Sequence, residues 1–92
     1  MAVELHVANE LVDALKQYMH LLNVIEVGRR EDPAHHTTVL TVAAPTAPKG
    51  AAMMSPTFEL RDGRVLLSCV DWYDSDGRLL WTQGQRSRTR NW

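Results

Sequence analysis

The dipeptide Asp62-Gly63 stands between two apolar-rich β-prone runs, and that arrangement points strongly to a β-hairpin. A two-residue loop that matches the right-handed twist of its strands needs positive φ angles, which Asp-Gly adopts at low cost. Thr57-Phe58-Glu59-Leu60-Arg61 is the incoming strand, and the outgoing one runs from Arg64 to Tyr73. Closing the turn on Arg61 and Arg64 sets Leu60 opposite Val65 and Phe58 opposite Leu67. By the period of two, Phe58, Leu60, Val65, Leu67, Cys69, Asp71 and Tyr73 then share one face. Leu66, Val70 and Trp72 fall on the other. Asp74-Ser75-Asp76-Gly77 turns the chain again, into a strand over residues 78–83 that carries Trp81.

Upstream of the hairpin the period changes once. Leu11, Leu15, Tyr18 with Met19, and Leu22 recur at helical spacing behind Asn9, a good N-cap, and before Asn23, which tolerates the left-handed conformation that ends a helix. A helix is predicted over residues 9–22. Before it, Val3, Leu5 and Val7 alternate with Glu4 and His6, as a short strand or an early helical turn. After it, residues 24–31 and the β-branched run 37–42 read as strands, and Asp32-Pro33 turns between them. Pro45, Pro48, Gly50 and Pro56 fit a loop or a bulged edge strand. The predicted class is α+β: one amphipathic helix packed on a curved antiparallel sheet of four to five strands, a cone-like or cystatin-like roll. Residues 1–84 form the domain, and residues 85–92 a basic, flexible tail. Fourteen helical residues span ~21 Å and a ten-residue strand ~33 Å, so one helix does not roof the sheet. Sheet curvature, a second copy or a ligand is expected to finish the cover.

Composition narrows the class of function. Ninety-two residues with a net charge of −1 make one domain without a field that recruits nucleic acid or an anionic membrane. Arg86, Arg88, Arg90 and Trp92 have the ingredients of a nucleic-acid tail, yet no basic face stands behind them, and nucleic-acid binding is not expected. Cys69 is the only cysteine, which excludes an intrachain disulfide and suits a reducing compartment. The start MAVELHVANE has neither a basic region nor an apolar run of a signal peptide, and no stretch approaches the ~20 apolar residues of a membrane span. A cytoplasmic location is the expectation.

The segment from Thr57 to Val65, continuing to Asp71-Trp72-Tyr73-Asp74, resembles the C-terminal hairpin of nuclear transport factor 2-like proteins. It is closest to the SnoaL-like polyketide-cyclase and limonene-epoxide-hydrolase branch, with its F-x-[LV]-x-D-G-[KR]-[IV] strand and D-[YW]-[FY]-D close. The order of helix and strands extends a looser resemblance over about residues 9–83. The resemblance implies a bent sheet wrapped into a cone with a pocket inside, and frequent homodimers. Two departures stand against it. The family's two front helices are missing, as if the chain were truncated at its N-terminus. The arginine and aspartate that the epoxide-hydrolase branch places two apart are also absent, since the matching strand reads Val39-Leu40-Thr41-Val42-Ala43-Ala44-Pro45.

Asp71 is the candidate catalytic residue. The alternation sets it on the apolar face with Cys69 and Tyr73, where desolvation suits a carboxyl to general acid–base work. It also matches the first aspartate of the family's closing motif. The competing reading, a strand-end carboxylate satisfied by water or an arginine, carries more weight. Phe58, Leu60, Leu67, Cys69, Asp71 and Tyr73 are the candidate pocket. Leu66, Val70, Trp72 and Trp81 are the candidate interface, covered by a second copy or by curling of the sheet. Cys69 reads as a small core residue rather than a nucleophile. His35-His36 point to opposite faces if they lie on a strand, so no metal and no cofactor are expected.

These readings converge on a small ligand-binding or partner-binding domain, non-catalytic and homodimeric, with an open hydrophobic cone for a small apolar ligand or a protein partner. The alternatives are a small hydrolase, isomerase or cyclase with Asp71 as general base, and an interaction or inhibitor module using Val70, Trp72 and Trp81.

Overall fold

The alternation of Val3, Leu5 and Val7 makes a strand, and it lies in the middle of the sheet. In the computed structural model, which describes residues 2–84, β1 (Ala2–Ala8) is followed by a 3-10 turn (Asn9–Leu11), α1 (Val12–Lys16), α2 (Met19–Leu22) and five further strands. These are β2 (Ile25–Asp32), β3 (Thr37–Ala43), β4 (Ala51–Arg61), β5 (Arg64–Asp74) and β6 (Leu79–Gly84). The chain is α+β, with six strands in the order β2-β3-β1-β4-β5-β6. The predicted count of four to five strands missed β1. The sheet is also not wholly antiparallel as predicted, because β1 inserts between β3 and β4, antiparallel to the first and parallel to the second. The proline-rich stretch over residues 44–50 is the connection that carries the chain past β1. Pro56 lies inside β4, two residues beyond the last pair with β1, where that edge has no ladder bond to lose. The basic tail lies outside the described residues.

The helix predicted over residues 9–22 is three short pieces. Asn9 does not cap it: the Asn9 N–H donates to the His36 carbonyl at 3.0 Å, and its Oδ1 accepts from Thr38 Oγ1 at 2.7 Å. Those two bonds stitch the end of β1 to the start of β3. Leu11 and Tyr18 adopt bridge-region angles near φ −104° and −107°, and the Tyr18 N–H donates to Leu15 at 2.9 Å, a tightened turn that divides α1 from α2. Asn23 ends the second piece as expected, at φ 56°, with the Val24 N–H reaching back to Met19 at 3.1 Å.

One rung crosses all six strands under the helices. Arg29, Leu40, Leu5, Met54, Trp72 and Trp81 stand in successive cross-strand register. The four central members are fully buried and form the core with Leu15 and Leu22 above them. Val3, Val42, Val7 and Val70 extend that core on either side of the rung.

Bulges decide which side chains join it. Between the pairs Thr57–Cys69 and Phe58–Leu67, β5 carries one extra residue, Ser68. An extra residue turns the alternation over. Leu67 therefore shares the helix side with Val70 and Trp72, whereas Cys69, Asp71 and Tyr73 lie on the side of the sheet away from the helices. Further bulges at Val27, Ala52 and Leu80 interrupt β2, β4 and β6. The predicted single face from Phe58 to Tyr73 is thus split, and the predicted outer face of Val70 and Trp72 is the core.

Candidate functional site

A concavity lies beside the helices rather than on the face of Asp71. Ala14 and Gln17 from the α1 segment, with Tyr18 at the break, face Arg64, Val65 and Leu66 at the start of β5. They line a groove of ≈ 450 Å³ that opens to solvent on one side. Its position follows from strand length. β4 and β5 run eleven residues each, past the end of seven-residue β1, so their hairpin tip lies alongside the helical turns. At that tip Asp62 and Gly63 take φ of 52° and 75°, the geometry the Asp-Gly dipeptide predicted. The break at Tyr18 half-buries its ring at the groove.

Charge in the groove comes from Arg64. Arg61 across the turn has a partner in Glu59 at 2.9 Å, but among the described residues no carboxylate stands within ion-pair distance of Arg64. Arg64 is exposed, and it shares the lining with Ala14, Tyr18, Val65 and Leu66. Such a site attracts an anion with an apolar body.

The six predicted pocket residues do not gather around one cavity. Phe58 and Leu67 pack into or against the core, and Leu60 is 75% exposed near the hairpin tip. Cys69 and Asp71 are buried on the side of the sheet away from the helices, and Tyr73 is half-buried beside them. Asp71 Oδ1 accepts from Thr82 Oγ1 at 2.6 Å, and Ser55 faces it across β4. It does not line the groove. Among the predicted interface residues, Val70 and Trp72 are core, Leu66 lines the groove, and Trp81 is exposed on the outer strand. Asp74 is a turn former: its Oδ1 accepts the backbone N–H groups of Asp76 and Arg78, both at 2.9 Å. His35 and His36 lie in the turn between β2 and β3, with His35 Nδ1 2.9 Å from Asp32 Oδ2. Among the described residues no cluster of three metal-ligating side chains forms.

Sequence reasoning passed over Gln17, Tyr18 and Arg64 as site residues. Tyr18 was legible only as part of an apolar helical stripe. What brings it to Arg64 is the overhang of the hairpin, which depends on a pairing between residues ~50 apart in sequence, where local pattern carries no signal.

Two surface carboxylates tie the fold weakly to pH. Glu26 lies below its ordinary 4.5, first because Arg29 donates to it at 2.8 and 2.9 Å, with burial opposing and the Arg29 and Lys16 charges assisting. Asp32 lies below 3.8, chiefly through its hydrogen bond from His35. A carboxyl whose folded pKa is depressed stabilises the fold above its unfolded value, and that contribution is lost as pH falls through the folded value. Melting temperature should therefore begin to drop as pH passes below about 4.5. Arg29→Ala should flatten part of that drop and move the Glu26 carboxyl titration back toward 4.5 when read by carbon-13 NMR. An unmoved titration would refute the pairing.

Among the described residues no helix is long and apolar enough to cross a membrane. No family model, curated protein or solved structure matches the chain.

Proposed function

We propose that this domain is a non-catalytic binding module for a small aromatic anion, seated in the groove between the helical turns and the tip of the β4–β5 hairpin. The flat body of the ligand lies against Tyr18, Val65 and Leu66, and its acid group meets Arg64. The observation that carries the reading is Arg64: an exposed arginine lining a groove with Ala14, Tyr18, Val65 and Leu66, with no acidic partner among the described residues. A volume of ≈ 450 Å³ lies in the ~300–1,000 Å³ range of small-molecule sites. Asp71 takes no part in this function, since it is not among the lining residues.

The resemblance of residues 57–74 to nuclear transport factor 2-like proteins belongs to the same proposal, as does the finer picture of the sheet as an open cone. The hairpin motif supports the first. Strands that carry four bulges and helices confined to one side support the second.

The probe is 8-anilinonaphthalene-1-sulfonate, an aromatic body with a permanent anion. Its fluorescence should rise on titration into the folded protein. Arg64→Glu should weaken binding at least ~10-fold, about 1.4 kcal/mol, and Tyr18→Ala by several-fold. Arg64→Lys should keep part of the affinity, because the charge stays while the planar fork is lost. Equal affinity in wild type and Arg64→Glu sinks the assignment.

A further inference from the structure

The two edges of the sheet are built differently. The β2 edge carries Glu26, Arg29, Arg30, Glu31 and Asp32, with a bulge at Val27, the devices by which proteins protect an open strand. The β6 edge reads Leu-Leu-Trp-Thr-Gln-Gly, with no charge in its six residues. Leu79 is 55% exposed and Trp81 44%, and Leu80 between them is exposed as well. The bulge at Leu80 does not blunt the remainder of the strand. Trp81, Thr82, Gln83 and Gly84 pair in unbroken register with Trp72, Asp71, Val70 and Cys69, so their backbone keeps the geometry that accepts another strand.

The rung beneath the helices makes the same contrast. At β2 it ends on Arg29, held by Glu26, a solvated ion pair. At β6 it ends on Trp81, an indole opposite the buried Trp72. Trp81 projects on the helix side and Leu79, opposite Tyr73, on the side away from the helices. The edge is therefore apolar on both faces of the sheet.

We infer that the β6 edge is an interface with a second copy of this chain, paired antiparallel about a two-fold axis so that the two sheets become continuous. The absence of charge argues for self-pairing. An antiparallel strand laid on its own copy brings every residue near a symmetry mate, and any charge near the axis would meet its like. β6 contains none, whereas β2 carries five charges and on its own copy would set Glu26 against Glu31, or Arg29 against itself, in two of its central registers. An axis near Trp81 sets the indole beside its counterpart and continues the aromatic row, an arrangement that stabilises cross-strand pairs. Leu79, Leu80 and Trp81 offer roughly 300 Å² of apolar surface per copy, against about 800 Å² in a standard interface. Backbone pairing adds to that, and the expected dimer is a concentration-dependent one.

The test is sedimentation velocity of the full chain from about 1 to 200 µM, a span that brackets micromolar dissociation constants. Wild type should pass from monomer to dimer within it. Leu79→Lys and Trp81→Lys should each weaken self-association at least ~10-fold. Val27→Lys, on the opposite edge and 62% exposed, should leave it unchanged. Leu79 lies outside the core cluster, so its variant reports on association even where Trp81→Lys loses stability. Hydrogen exchange at the amides of residues 81–83 should slow as the dimer fills, which face-to-face packing of sheets would not produce. A chain monomeric throughout overturns the proposal and leaves the edge to an extended segment of a different protein. So does a dimer that Val27→Lys breaks and Leu79→Lys spares, or one whose β6 amides exchange freely.

Discussion

Trp72→Ala should cost about 3–5 kcal/mol of unfolding free energy, while Trp81→Ala, one strand outward on the same rung, should cost less than half as much. The difference lies in what each indole leaves behind. Trp72 is 1% exposed, opposite Met54 on one side and Trp81 on the other, and its Nε1–H donates to Gln83 Oε1 at 3.3 Å. Alanine there empties a cavity walled by core side chains and strips Gln83 of its donor. A chain of this length has roughly 5–14 kcal/mol of stability in all, so the loss is a large share of it. Trp72→Phe refills part of the volume without the N–H and should cost about 1–3 kcal/mol. Urea unfolding followed by circular dichroism reads all three. Equal losses at Trp72 and Trp81 would mean that the first is not core.

That contrast marks where the sequence was legible. The turn at Asp62-Gly63, the pairs Leu60–Val65 and Phe58–Leu67, and the helix end at Asn23 all follow from local chemistry, and the structure has each of them. Two features defeated local reading. The first is Ser68. The run Val65-Leu66-Leu67-Ser68-Cys69-Val70 is apolar at nearly every position, so it contains no alternation from which an extra residue could be detected. One undetected bulge moved Val70 and Trp72 from a supposed outer face into the core, and Cys69, Asp71 and Tyr73 out of a supposed pocket. That side of the sheet is mixed rather than uniformly apolar: β1 and β3 present Glu4, His6, Thr37 and Thr41 there beside the buried Val39, and β4 presents Ser55 and Thr57. The second feature is the groove. Arg64 flanks the turn, and nothing near it in sequence places Tyr18 alongside.

The place of β1 was hidden for the same reason, and its consequence is the larger prediction. Seven residues with alternating apolar positions look the same at an edge and in the middle of a sheet; only their partners differ. Here β3 and β4 are never neighbours. The β2–β3 hairpin and the β4–β5–β6 meander are joined in the sheet solely by β1, and Leu5 sits at that junction between Leu40 and Met54, with no exposed surface. A charge at this position would stand among the apolar side chains of the core, and an unpaired buried carboxylate costs several kcal/mol even after it takes up a proton. Leu5→Asp should therefore abolish cooperative unfolding at neutral pH, with near-ultraviolet dichroism lost and backbone amides of both halves exchanging freely. Leu5→Ala, a cavity without a charge, should stay folded with about 2–5 kcal/mol less stability. Glu4→Ala, on the exposed face of the same strand, should change little. If Leu5→Asp instead keeps one half protected from exchange while the other melts, the two halves fold separately and β1 only bridges them. If it melts with the cooperativity of the wild type, β1 is not the central strand.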